Sequence, residues 1–331
     1  QPRLRVLDKA AGGKADALNA GINASVYPLI FCADADCVLD RDALLHLAQH
    51  FILDPDTVAC GGTRLPQNGN VVREGHLVEA ALPHGRMERI QLVENLRDAL
   101  LICAGWSSVN GLLLLSGNIM LLQKQAVIDC GGFLRDLVDE DGELILRMHR
   151  LLSIAGKPYR IAHSSNALGW TEVPRDRSKL RASRVRRYRG LCESVSLNQA
   201  MLWRGRPNVA GWIALPCLML FECACPLVEV AGYVLLAALF VTGVLEWAAF
   251  LLLLAIALGL AILLPALSLL LEEACYRRTK DTRDTLALLA DIAAGQFGDR
   301  QRKLLWSLEG MWQWVTGKRG GRRVTTRRTQ P

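Results

Sequence analysis

Tyr27-Pro28-Leu29-Ile30-Phe31-Cys32-Ala33 followed by Asp34-Ala35-Asp36 is the stretch whose reading decides the fold. The apolar run is too short for a helix and rich enough in strand formers to be a buried strand. Two carboxylates one residue apart stand where that strand runs out. Open α/β sheets bind nucleotides outside the carboxyl ends of their strands. A hard divalent cation held there by few carboxylates completes its shell with phosphate oxygens. A nucleotide-dependent transferase is one reading of the pair. A solvated turn is the other, because Asp is common in turns. The rest of the chain has to choose between them.

Outward from this pair, strands and helices alternate. Residues 3–7 read as a strand end, and Gly12-Gly13-Lys14-Ala15-Asp16-Ala17-Leu18-Asn19 as a glycine loop entering a helix. A helix is expected over 41–51, opened by Asp40 and Asp42, then a short strand over 57–61. Residues 86–104 read as a long amphipathic helix. An apolar stretch over 112–122 is interrupted by Ser116-Gly117-Asn118. A short helix follows from about 123 and stops at Gly131-Gly132. Residues 142–155 are strongly periodic, and 159–162 read as a strand. This alternation predicts an α/β sheet domain over 1–206.

The chain of 331 residues is 51% hydrophobic, with mean hydropathy +0.20. That excess is local. Residues 211–271 hold only three charged side chains, Glu222, Glu229 and Glu246. At about 1.5 Å per helical residue this stretch can cross a hydrocarbon core of roughly 30 Å twice. The expected membrane region is 207–272. Pro216 and Pro226 divide its first part. Residues 211–225 are expected to be interfacial or re-entrant, with spans over about 226–245 and 247–271; the alternative is one long kinked span in place of the first two pieces. Residues 273–331 are expected to be cytoplasmic amphipathic helices and a basic tail.

The net charge of +7 is also uneven. Ten basic residues lie within 175–206, against Asp176 and Glu193. Arg277, Arg278 and Lys280, then the tail from Lys318, lie beyond the apolar region. Basic flanks on both sides put both ends in the cytoplasm and make the number of spans even. The expected location is the inner (cytoplasmic) membrane, multi-pass, with the sheet domain cytoplasmic. No nucleic-acid motif accompanies the basic tail, so the lipid bilayer is the expected partner and nucleic acid is not. Trp306, Trp312 and Trp314 mark a helix that either lies in the interface or packs on the sheet domain. Ten cysteines without regular spacing support neither a zinc site nor a disulfide framework.

Two further clusters carry chemistry. Asp139-Glu140-Asp141 opens a helix, where acidic residues favour the dipole. A carboxylate held there can also deprotonate an attacking hydroxyl. Arg181, Arg184, Arg186, Arg187 and Arg189 suit either a membrane interface or a pyrophosphate, which guanidinium matches in charge and fork geometry.

The order of these pieces resembles the inverting family 2 glycosyltransferases, in particular the membrane-integrated branch of cellulose, hyaluronan and poly-N-acetylglucosamine synthases. The resemblance rests on Lys14 to Asn19, Asp34-Ala35-Asp36, Ser116-Gly117-Asn118, Glu140-Asp141 with Leu144 and Arg147, Trp170 to Pro174, and Ser183 to Arg187. It implies a GT-A (Rossmann-like) catalytic domain followed by C-terminal transmembrane helices. It implies a UDP-sugar donor bound with Mg²⁺ or Mn²⁺, and transfer to a growing β-linked glycan. Asp36 would be the main metal ligand, with Asp34 nearer the sugar nucleotide. Lys14 and Asn19 would border the nucleotide, and Arg184 and Arg186 would close over the diphosphate. Asp141 would be the base, with Glu140 beside it. Ser116, Gly117 and Asn118 would lie along the acceptor.

The arginine motif departs from the family's Q-x-x-R-W. Ser183 replaces Gln and Arg187 replaces the Trp that stacks on the acceptor sugar. Tyr188 or Trp170 is the expected substitute. A glycolipid-forming enzyme with a lipid acceptor, and a non-catalytic membrane scaffold, are the competing readings. Donor sugar and any accessory secretion subunits stay unassigned by sequence. The family's first strand and its uracil-contacting aspartate have no counterpart here, so an N-terminally truncated sheet is expected.

Overall fold

The computed structural model describes residues 5–204, 207–275 and 282–317. Its centre is a five-stranded mixed sheet of β1 (Leu29–Ala33), β2 (Val38–Leu39), β3 (Thr57–Pro66), β6 (Ile119–Gln123) and β7 (Arg160–Thr171), in the order β1-β6-β3-β7-β2. The β3–β7 pair is parallel and the other pairs are antiparallel. The deciding apolar run is therefore a strand, and it pairs from Leu29↔Gln123 to Ala33↔Ile119.

β1 and β2 lie on opposite edges, yet only residues 34–37 connect them. Four flat inter-strand spacings would need about 19 Å. Five Cα steps reach about 18 Å at full stretch. The link is not stretched: the Cys37 N–H donates to the Asp34 carbonyl at 3.1 Å, closing a turn. The sheet therefore curls, and Asp34-Ala35-Asp36 lies across its mouth.

Helices α1 (Lys14–Ala24), α5 (Lys124–Asp129) and α6 (Glu140–Ile154) cover one face. Ile22, Val127, Leu144, Ile145 and Met148 meet Ala59, Met120, Leu122 and Ile161 there. α2 (Ala43–Leu53) covers the other face through Leu47. α3 (Arg86–Arg97) runs on through a π-helical turn, Asp98–Cys103, into α4 (Ala104–Ser108). α7 (Arg177–Asn198) packs against α6. α7 buries Leu191, Cys192 and Val195 inside the α/β unit.

Residues 5–7 do not continue a strand; Val6 is 83% exposed. β3 and β7 run well past the short strands expected, because each is hydrogen-bonded on both sides and so keeps its ladder. A two-stranded ribbon of β4 (Val71–Arg73) and β5 (His76–Glu79) was not legible, because Arg73 and Glu79 interrupt two very short apolar pairs, Val71-Val72 and Leu77-Val78.

Two helices are long and apolar enough to cross a membrane, Ala210–Val241 and Trp247–Cys275. The first is one continuous helical run that includes the residues before Pro226. It comprises α8 (Leu215–Leu218) and α9 (Cys225–Val241), with π-helical turns at Ala210–Ala214 and Met219–Ala224. Each wide turn precedes a proline, Pro216 or Pro226, whose missing N–H an ordinary helix cannot absorb. Its start is buried on the α/β unit through Ala210, Ala214 and Leu215. Trp247–Cys275 is α10, and Leu269 near its end packs with Leu65 and Trp170.

α11 (Thr282–Gly295) and α12 (Asp299–Val315) return to the α/β unit. α12 lies along α7, burying Leu304 and Gly310, while Trp312 stays 65% exposed. Arg277, Arg278, Lys280 and the tail from Lys318 lie outside the described residues.

Candidate active site

Four segments converge at the mouth of the curled sheet. The Lys14 ammonium, at the start of α1, reaches Asp141 Oδ2 at 2.7 Å and Asp34 Oδ1 at 3.1 Å. Asp34 directly follows β1, and Asp141 sits in the first turn of α6. The 116–118 loop presses on the same carboxylate: a Cβ added to Gly117 would lie 1.8 Å from Asp141 Oδ2. Glycine is required there by close approach. Residues 14, 34, 117 and 141 are thus one site.

The Asp141 side chain is 12% exposed, and its Oδ1 is buried with no hydrogen-bond partner. An orphaned buried carboxylate oxygen is costly unless something fills it. Glu140, also buried, has its pKa raised by burial, and Asp139 likewise. Asp139 caps α6 by accepting from the Gly142 N–H at 3.3 Å. Within this acidic run the capping role thus falls to Asp139. Burial works against the Lys14 charge, but Asp141 and Asp34 outweigh it and raise its pKa. Lys14 stays charged.

The two helices that carry Lys14 and Asp141 are braced through the loop at 130–133. Asn19 Nδ2 donates to the Phe133 carbonyl and Asn19 Oδ1 accepts from the Phe133 N–H, both at 2.8 Å. Gly132, at φ 72°, sits tightly against that amide. From α6, Arg147 donates to the Cys130 carbonyl at 2.6 Å and the Gly132 carbonyl at 2.7 Å, and pairs with Glu143 at 2.9 Å. Both ends of the Asn19 side chain are engaged with the Phe133 backbone, so in this structure it ties α1 to the 130–133 loop.

Asp36 is exposed at the turn and, among the described residues, makes no ion pair. Among the described residues, no group of three or more His, Cys, Asp or Glu side chains could hold a metal ion unaided. An open Asp36 beside Asp34 suits a hard cation that draws its remaining oxygens from a bound phosphate.

The arginine segment is helical throughout. Arg184 is paired with Glu94 on α3, and Lys303 on α12 pairs with the same carboxylate. Arg187 lies 3.9 Å from Asp98, and Arg181 forks onto Glu309 at 2.9 and 3.0 Å. Arg186 is exposed, and its charge reaches Glu140. Arg184 is thus held by a carboxylate in this conformation. Ser116 and Asn118 touch each other at 3.5 Å. Trp170 needs a correction: at 6% exposed it packs with Leu65, Val93, Leu96 and Leu269, so its ring is core. The Tyr188 hydroxyl donates to the Glu222 carbonyl, tying α7 to the first long apolar helix. Glu229 pairs with Arg300 on α12 at 2.7 Å.

Sequence reasoning missed Glu94 and Arg64. Glu94's partners are 90 and 209 positions away, which leaves no local signal. Arg64 could have been noticed as a lone charge inside the apolar strand Thr57–Pro66.

The sheet, its flanking helices and this mouth define the class: a mixed α/β, GT-A-like glycosyltransferase fold. Residues 1–106 match the model of the family described as Glycosyl transferase family 2. The poly-beta-1,6-N-acetyl-D-glucosamine synthase of Staphylococcus aureus (strain COL) is 31% identical over 179 residues, 54% of this chain. The synthase of the same name from Staphylococcus epidermidis (strain RP62A) is 28% identical over the same length. The matched stretch spans 38% of those relatives. Among solved structures, a mannosyltransferase from Pyrobaculum calidifontis in complex with GDP-Man and Mn²⁺ superposes with a TM-score of 0.54 at 15% identity. It covers 95% of this chain and 69% of that one. The likeness to these proteins is one of fold and domain.

Proposed function

We propose that this chain is a membrane-bound inverting glycosyltransferase that moves a sugar from a UDP-sugar to a growing β-linked polysaccharide. The observation that carries the reading is Asp141, a buried carboxylate with one unmet oxygen, pinned by Lys14 against Asp34 and touched by Gly117. The free oxygen takes the proton from an acceptor hydroxyl lying along residues 116–118. That hydroxyl oxygen bonds to the anomeric carbon as the bond to UDP breaks on the opposite side. Lys14 fixes the orientation of the base, and Glu140 lies buried beside it in the first turn of α6. Asp36, with Asp34, would hold a divalent cation, Mg²⁺ or Mn²⁺, which when bound neutralises charge on the departing diphosphate. The similarity to N-acetylglucosamine polymer synthases makes UDP-N-acetylglucosamine the first donor to try.

Ala210–Val241 and Trp247–Cys275 then cross the bilayer as a pair, leaving the α/β unit on the cytoplasmic side of the inner membrane. At about 1.5 Å per residue each exceeds a core of roughly 30 Å. The test is label transfer from UDP-N-acetylglucosamine in membranes. Asp141→Asn is expected to cut it by about 10²- to 10⁴-fold, and EDTA to stop it until Mg²⁺ or Mn²⁺ is restored. Equal incorporation by wild type and Asp141→Asn would remove Asp141 as the base. A short lipid-linked product on a gel would favour a glycolipid acceptor over a polymer.

A further inference from the structure

Arg64 is the single charge in strand β3, which is otherwise apolar or small, and it is half-buried. Its register partner is Gly169 on β7. Residues in register on parallel strands present their side chains to the same face. A Cβ on Gly169 would meet the Ile119 side chain and lie 2.9 Å from the Cys37 sulfur. Arg64 therefore faces the turn that carries Asp34 and Asp36.

The charges around it agree. Burial comes first, then Arg187 and Arg184, in disfavouring the Arg64 charge, while Asp98 and Asp34 support it. Arg184 and Arg187 each have a carboxylate, Glu94 or Asp98. Arg64 does not: among the described residues its side chain makes no ion pair and no hydrogen bond. A guanidinium with five donors, half out of water beside two other arginines, needs an anion. The hydroxyls of a glycan are neutral and leave that charge uncompensated. A diphosphate carries enough negative charge and matches the guanidinium fork.

We propose that Arg64 holds the diphosphate of the sugar-nucleotide donor, between the 34–36 turn and α7. The assignment rests on the glycosyltransferase reading above. Arg64 is a half-buried arginine with open donors that stands on the sheet, whereas Arg184 is held by Glu94.

The test is calorimetric binding of UDP and UMP, with GDP and GMP in parallel, to the full chain in detergent with Mg²⁺. Wild type, Arg64→Gln and Arg64→Lys are compared. Arg64→Gln is expected to weaken the diphosphate at least about 10-fold more than the monophosphate, with Arg64→Lys between the two. The monophosphate measurement reports whether the variant is folded. A smaller difference, or equal weakening of both nucleotides, overturns the assignment and leaves the proposed activity standing. If the wild type binds no nucleoside diphosphate, the glycosyltransferase reading falls and this assignment falls with it.

Discussion

Glu94→Gln is the perturbation that most directly tests how the arginine helix is held. Glu94 lies in the last turn of α3, its side chain 19% exposed, between Arg184 of α7 and Lys303 of α12. Burial by itself would raise its pKa, but Arg184 first and then Lys303 outweigh it and hold the carboxyl at about 2, against the ordinary 4.5. At 1.36 kcal/mol per unit, that difference corresponds to about 3 kcal/mol of stability, trimmed toward about 2 by the solvent-exposed part. The folded pKa is depressed, so the contribution is complete above pH 4.5 and disappears as the pH falls from 4.5 toward 2. Gln cannot compensate the two cations, which adds the penalty of leaving them unpaired. Urea unfolding of the detergent-solubilised chain, followed by tryptophan fluorescence, reads the effect. Glu94→Gln is expected to lose about 2–3 kcal/mol at pH 7, and about 1 kcal/mol at pH 3. A variant within about 0.5 kcal/mol of wild type at pH 7, or a gap that does not narrow with acid, would refute the reasoning.

Three other outcomes follow from the same geometry. Gly117→Ala places a methyl on the Asp141 carboxylate, so kcat in the label-transfer assay should fall by about 10²-fold or more, with unfolding changed little. Trp170→Ala should destabilise by about 3–5 kcal/mol, as a core deletion does, and the KM for an added acceptor oligosaccharide should stay at the wild-type value. Asn19→Ala removes two hydrogen bonds to Phe133 and should cost about 2 kcal/mol, raising hydrogen exchange at the 130–133 loop more than it alters nucleotide affinity.

Much of the fold was readable from local pattern. β1, α1, α2 and α6 fall within a few residues of where periodicity and end signals put them. Such elements are fixed by which faces must be buried, and the spacing of apolar residues states that directly. The membrane-length helices were equally plain, because 25 uncharged residues in a row leave few alternatives. The prolines were ambiguous: whether Pro216 and Pro226 break a helix or kink it depends on what packs around them. Here Ala210, Ala214 and Leu215 are held by the α/β unit, and π turns keep the run continuous.

For the site, sequence supplied residue types and tertiary structure supplied their relations. Asp34, Lys14, Gly117 and Asp141 were each legible as chemistry-bearing positions. Lys14 and Asp141 are 127 positions apart, and only the curl of the sheet puts 2.7 Å between them. The roles of Asn19, Trp170 and Arg184 went the other way. The sequence shows an amide, an aromatic ring and a guanidinium, each able to bind a ligand; Phe133, the Leu65–Leu269 core and Glu94 engage them first. Local pattern determined that this chain forms an α/β sheet unit with two long apolar helices, because burial is written into hydrophobic spacing. Which polar groups remain free to meet a ligand was decided only by packing, because a polar side chain's partners come from anywhere along the chain.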